Sequence, residues 1–193
     1  GKSRYYQQRF VPALEAFNYV LYKYPASDKI YEVKIWREKT NIRLDNDALA
    51  VTNLNRLLKQ IKFKDQIFAD ANAALSQAFL NLEEKDSAVA KLKLAKEFTK
   101  QDEEKARYDF IIGQIYQELG YRDSAIASYE SVIKMNRKSP REYIIQAYVK
   151  KAQMFDYEKD DVAVVEKKYE ELLADRENRP FLGPIYHQMG VFY

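Results

Sequence analysis

YDFIIGQIYQELGYRDSAIASYESVI, from Tyr108 to Ile133, is the stretch whose reading decides the fold. Gly113 is followed three residues later by Tyr116, and Leu119 and Gly120 close this first helical segment. Ala125 opens a second segment, with Tyr129 and Val132 following at four and seven residues. Two antiparallel helices that cross closely need small residues at the crossing and large ones beside it. Gly113 and Ala125 supply the first, Tyr116 and Tyr129 the second. A hairpin of this size cannot bury its own apolar face, so the rest of the chain is expected to hold copies of it.

The alanine that opens each second helix recurs as Ala13, Ala50, Ala88 and Ala125, at spacings of 37, 38 and 37 residues. The unit resembles the tetratricopeptide pattern L-G-x-x-Y…A-x-x-x-F, whose period is about 34. The extra residues most simply lengthen helices or turns. The expected fold is all-α, a right-handed α-solenoid of about ten helices. One domain over 1–193 is expected, with units at 1–26 (partial), 27–62, 65–100, 102–138, 140–176 and 180–193 (partial). Helix pairs are predicted at 29–44 and 47–60, 71–82 and 86–98, 102–119 and 122–135, and 140 to about 155 and 161–174. Ahead of these a truncated repeat holds a helix at 11–24 whose Pro12 lies in the first turn. Ser27 or Asp28 is a candidate N-cap. Glu38, Ser76 and Gln153 stand where Gly1, Gly113 and Gly190 stand in the other units. At Glu38 a shifted packing register is expected, and Pro180 and Pro184 are expected to break the chain before a last helix.

The 193 residues are 47% hydrophobic and 32% charged, too apolar for a disordered chain. Five glycines and five prolines, mostly at expected helix ends, agree with nearly continuous helix. Thirty-two basic and 29 acidic residues almost cancel to +3, a balance that gives weak support at best to nucleic acid or anionic membrane binding. The lysines of the second helix at 86–98, Lys91, Lys93 and Lys96, with Lys100 beyond it, read as a solvated face. Without cysteine there are no disulfides, thiolate metal sites or thiol nucleophiles. No apolar run reaches the roughly 18 residues of a membrane span. The chain starts at Gly1 and both ends fall inside repeats, so a piece of a longer protein is expected, with flanking sequence or a partner over the open ends.

Chemistry finds few candidates. His187 is a lone histidine and reads as a helix-surface or packing residue. Glu83 with Glu84, and Asp160 with Asp161, fall at turns before helices and read as capping groups. The glycines are too dispersed for a phosphate-binding loop. No catalytic, cofactor or metal residues are assigned, and no enzyme is expected. What remains is the surface offered by the first helices of the repeats, where a polypeptide can lie. Residues expected to project there are Lys2, Tyr5, Ile35, Lys39, Arg43, Gln77, Asn81, Phe110, Gln114, Gln117 and Met154. Their aromatic, amide and basic character suits a protein ligand better than a phosphate backbone. Each alone reads first as an ordinary solvated residue, and the functional reading belongs to the surface as a whole.

Three longer passages carry a narrower resemblance: ALEAFNYVLYKYPASDKIYEVKIWREKTNIRL (13–44), FKDQIFADANAALSQAFLNLEEKDSAVAKLKLA (63–95) and DRENRPF (175–181). The chain resembles the large tetratricopeptide lipoproteins of the type IX secretion and gliding motility apparatus, the SprE or PorW type. That resemblance implies a periplasm-facing scaffold at the outer membrane, held there by a lipid anchor outside this segment. It implies partners in the outer-membrane translocon and the periplasmic ring. A chaperone-like module that holds client peptides is the alternative reading.

Overall fold

The computed structural model describes residues 1–193, as eleven α-helices with two short 3-10 segments. The helices are α1 (Lys2–Tyr6), α2 (Phe10–Lys23), α3 (Ile30–Ile42), α4 (Asp47–Gln60), α5 (Gln66–Asn81), α6 (Lys85–Phe98), α7 (Asp102–Glu118), α8 (Arg122–Met135), α9 (Arg141–Ala152), α10 (Val162–Ala174) and α11 (Leu182–Phe192). The 3-10 segments are Asn136–Lys138 and Arg176–Phe181. None of the helices is long and apolar enough to cross a membrane. Where the sequence points to one domain, the chain divides into two compact units, Gly1–Lys100 and Gln101–Tyr193. The division falls at the junction expected between the repeats at 65–100 and 102–138.

The helix pairs are held as the small-residue argument requires. Ala13, Ala50, Ala88 and Ala125 are all fully buried. A methyl group added to Gly113 would come within 2.7 Å of the Tyr129 ring, and one on Gly1 within 2.2 Å of Phe17. The glycines therefore make room for an aromatic ring four residues after the marker alanine. The fifth repeat keeps a ring, Tyr169, opposite Gln153, but Glu38 and Ser76 stand in repeats that carry Leu54 and Leu92 instead. Volume is conserved across the crossing, which is what a close-packed interior demands. Each buried leucine contributes roughly 1.5–3 kcal/mol.

Glu38 keeps the register that its size seemed to threaten. It is 1% exposed, and its carboxylate accepts from Arg37 Nε at 2.6 Å, Asn41 Nδ2 at 2.7 Å and Asn53 Nδ2 at 3.2 Å. Three donors offset the desolvation of the charge. The following turn is the same as in the other early repeats. Gln8, Asp45, Glu83 and Gly120 occupy equivalent turns with φ of 60°, 59°, 61° and 78°. In each, the next amide reaches back five residues: Arg9 to Arg4, Asn46 to Asn41, Glu84 to Phe79 and Tyr121 to Tyr116. This is the bond that closes a left-handed helix terminus.

Several boundaries differ from the sequence reading. Helix α5 begins at Gln66 rather than Ala71, because the Asp65 carboxylate caps it by accepting from the amides of Ile67 and Phe68 at 3.0 and 3.4 Å. No side chain caps α3, and the Ser27 hydroxyl accepts instead from the Lys29 amide. Helix α9 stops at Ala152, short of 155. Pro184 does not break the chain: it lies in the first turn of α11, where a missing amide hydrogen costs nothing. Gly190 has open space beside it, so no helix crosses closely there.

In the second unit the regular pairing of α7 with α8 gives way after α9. Nine residues, 153–161, join α9 to α10, against three, 119–121, between α7 and α8. Helix α9 packs on α8 and α11 instead of along α10. Ile145, Tyr169, Leu172, Ile185 and Phe192 form the core there. Arg141 fastens the 3-10 segment, donating to Asn178 at 2.6 Å and pairing with Asp175, while Asn178 Nδ2 donates to the Leu172 carbonyl.

Candidate protein-binding surfaces

In the first unit, α1 and α3 gather aromatic rings and cations on one face. Trp36 and Lys39 lie one turn apart on α3, with Arg43 at its C-cap, and α1 brings Lys2 and Tyr5 against them. The Tyr5 and Tyr6 rings meet Trp36 edge-on at 5.3 and 5.7 Å, and Phe17 stacks behind it at 6.4 Å. Two ammonium groups lie over the Trp36 ring, Lys2 Nζ at 5.1 Å and Lys39 Nζ at 4.9 Å. The Arg43 guanidinium lies 5.1 Å from the Phe10 ring. Each such contact at an exposed site stabilises by about 0.5–1 kcal/mol. Lys2 also pairs with Glu32 and holds that carboxyl below its usual range. Burial raises the Tyr5 hydroxyl pKa, opposed by Arg43, so Tyr5 is a neutral donor in this face.

The structure thus brings together Lys2, Tyr5, Lys39 and Arg43 of the residues read as projecting. Ile35 is a correction: it is 2% exposed and packs in the core with Leu54 and Leu75. Trp36, placed among the packing residues by its spacing, is half-buried and forms the centre of the face. Its signal was the flanking basic residues at three and seven positions beyond it. Gln77 and Asn81 are exposed on α5 and form a polar chain, Gln77 Nε2 donating to Asn81 Oδ1 and Asn81 Nδ2 to Asp47, each at 2.9 Å.

In the second unit, Phe110 is a half-buried packing residue between Tyr129 and Tyr143, with both ring centroids at 5.7 Å. Gln114 is half-buried. Gln117 accepts from the Tyr129 hydroxyl at 3.0 Å, and burial lifts that hydroxyl to a pKa of about 12. Gln117 and Met154 line one recess of about 580 Å³ with Arg122, Phe155 and Tyr157. Arg122 closes its floor by donating to the Met154 carbonyl at 2.9 Å and pairing with Asp160. A larger groove of about 1060 Å³ lies between α8 and α10, over Ile126, Ile133, Tyr148, Phe155, Val165 and Leu172. It is the space left where α10 stands away from α9. Charges along its rim pair with one another, Lys151 with Glu130 at 2.7 Å and Lys168 with Glu171 at 2.7 Å.

His187 is exposed, and no three His, Asp or Glu side chains converge to hold a metal ion. The surfaces offer rings, amides and paired charges, which is the chemistry of protein contact.

No curated protein matches this sequence. Two crystal structures of MamA are similar in fold, at TM-scores of 0.63 and 0.62 and 20% identity, covering 97% of this chain and 93% and 87% of theirs. At that identity the likeness speaks for the fold alone. Residues 106–139, which hold most of α7 and all of α8, match the tetratricopeptide repeat. The chain therefore carries a tetratricopeptide repeat within an all-α, solenoid-class fold.

Proposed function

We propose that this chain is a non-catalytic scaffold of the type IX secretion and gliding motility machinery, facing the periplasm at the outer membrane and joining translocon to ring components. The passages at 13–44, 63–95 and 175–181 support the secretion reading. The observation that carries the scaffold reading is the Trp36 face, where Lys2, Tyr5, Lys39 and Arg43 surround a half-buried indole. Aromatic and arginine anchors beside a hydrophobic ring are the residues that dominate protein interfaces. Repeat packing holds them rigid, so little ordering entropy is lost on binding.

The test is cross-linking capture from cell envelopes with the 193-residue chain as bait, beside a Lys39→Glu, Arg43→Glu variant. Arg43 is exposed and Lys39 half-buried, so the variant's thermal unfolding is compared with the parent's. Envelope secretion components are expected with the parent chain and are lost with the variant. Recovery of cytosolic proteins alone overturns the secretion reading. Equal capture by both chains overturns the role of this face. The recess at Gln117 and Met154 favours one second reading, a module that seats peptide segments of clients. Tight binding of short client peptides without any envelope complex would select it.

A further inference from the structure

At the end of the first unit where each second helix hands over to the next first helix, the loop 61–65 is basic, and it and the loop 24–29, where Asp28 balances Lys29, each carry an exposed ring. Phe63 is 78% exposed in the loop 61–65 between α4 and α5, and Tyr24 is 53% exposed in the loop between α2 and α3. Lys59, Lys62 and Lys64 flank Phe63 in the chain, and Lys100 is drawn to the same place because its amide donates to Gln66 Oε1 at 2.9 Å. Lys34 reaches the same loop, donating to Gln60 Oε1 at 2.9 Å. The only carboxylate in 61–65, Asp65, is engaged as the cap of α5. At the other end of these helices the turns 43–47 and 82–86 carry Asp45, Asp47, Glu83, Glu84 and Asp86 against Arg43 and Lys85, so the unit is polarised along its helix axes. Asp102, Glu103 and Glu104, which follow Lys100 in the chain, open α7, where Asp102 pairs with Lys105 and Lys138.

The loop presents Phe63 outward and holds it there. Ile61 before it packs on the core, and Lys64 after it lies over the Phe68 and Phe98 rings at 5.8 and 5.3 Å. We propose that this basic edge seats the first unit on an anionic lipid surface, with Phe63 entering the headgroup region. A single ring among lysines is the composition of an interfacial anchor, whose ring partitions at headgroup depth while the ammonium groups meet lipid phosphates. An acidic protein partner would instead call for a contiguous apolar patch at the centre of the contact, and Phe63 is the one ring of its loop. The site shares no residue with the Trp36 face.

Sedimentation of the 193-residue chain with phosphatidylcholine vesicles, with and without phosphatidylglycerol, tests this. Binding is expected only to the anionic vesicles and falls as salt is raised. Phe63→Ala and the pair Lys59→Glu, Lys62→Glu each weaken it by about tenfold, while their thermal unfolding stays that of the parent. Emission from a Phe63→Trp variant is expected to be quenched by brominated acyl chains. Equal binding to neutral vesicles, parent-like binding by both variants, or capture of a soluble polyglutamate without vesicle binding overturns the proposal.

Discussion

Helices α7 and α8 turn back on each other through three residues, whereas α9 and α10 need nine and do not pack along one another. The two hairpins descend from one pattern, and they differ at three places. Gly113, Gly120 and Ala125 in the first become Gln153, Asp160 and Val165 in the second. The first set lets Tyr129 lie against bare backbone and lets the chain reverse through a left-handed residue. The second set puts bulk at the crossing, and a groove lies between α8 and α10.

The comparison breaks most readily at Gly113. A methyl group there meets the Tyr129 ring at 2.7 Å, so Gly113→Ala is expected to lose about 1–3 kcal/mol in urea unfolding, despite its better helix propensity. Gln153→Ala, at the matching position, meets no clash and loses only its hydrogen bond to the buried Gln188, a cost of about 0.5–1.5 kcal/mol. Equal effects would remove the distinction between the hairpins. Next comes the turn: Gly120→Ala forces a side chain to φ +78° and should cost about 1 kcal/mol, read as a lower urea midpoint at unchanged slope. Gly190→Ala should move the other way, gaining about 0.5–1 kcal/mol, because open space surrounds that helical glycine. A loss there would mean that α11 makes a close crossing after all.

The smallest effect is on acid stability. Glu130 of α8 accepts from Lys151 of α9, and this hydrogen bond, against the opposing effect of burial, holds its carboxyl below the usual range. A carboxylate depressed in the folded state stabilises at pH values above its unfolded pKa, and the benefit is lost as pH falls below about 4. Thermal unfolding should therefore be flat from neutral pH to about 5 and decline below it. Glu130→Gln should soften that decline.

Much of this was legible in the residues themselves. Helices α4 and α8 run over the very residues that periodicity assigned, since a marker alanine and a turn residue bracket each start. The start of α5 was hidden because Asp65 lies inside a lysine-rich loop that reads as linker until its carboxylate is seen on two amides. Periodicity placed Ile35 and Trp36 on the wrong sides of α3. Adjacent residues point about 100° apart on a helix, and both are apolar, so hydropathy alone could not choose between them. Glu38 misled for a different reason: its partners Asn41 and Asn53 come from two helices, and a one-dimensional pattern does not show such convergence. The recess that joins Gln117 to Met154 depends on the path of the nine-residue loop, which no spacing rule encodes.

Three of the four left-handed turn residues, Gln8, Asp45 and Glu83, carry side chains where glycine would sit without strain. Their hairpins close regardless, so the fold can tolerate drift at its corners as long as the buried alanine endures. For an engineer those corners are the unspent margin of the molecule: installing glycine at positions 8, 45 and 83 would harden the array without touching either binding surface.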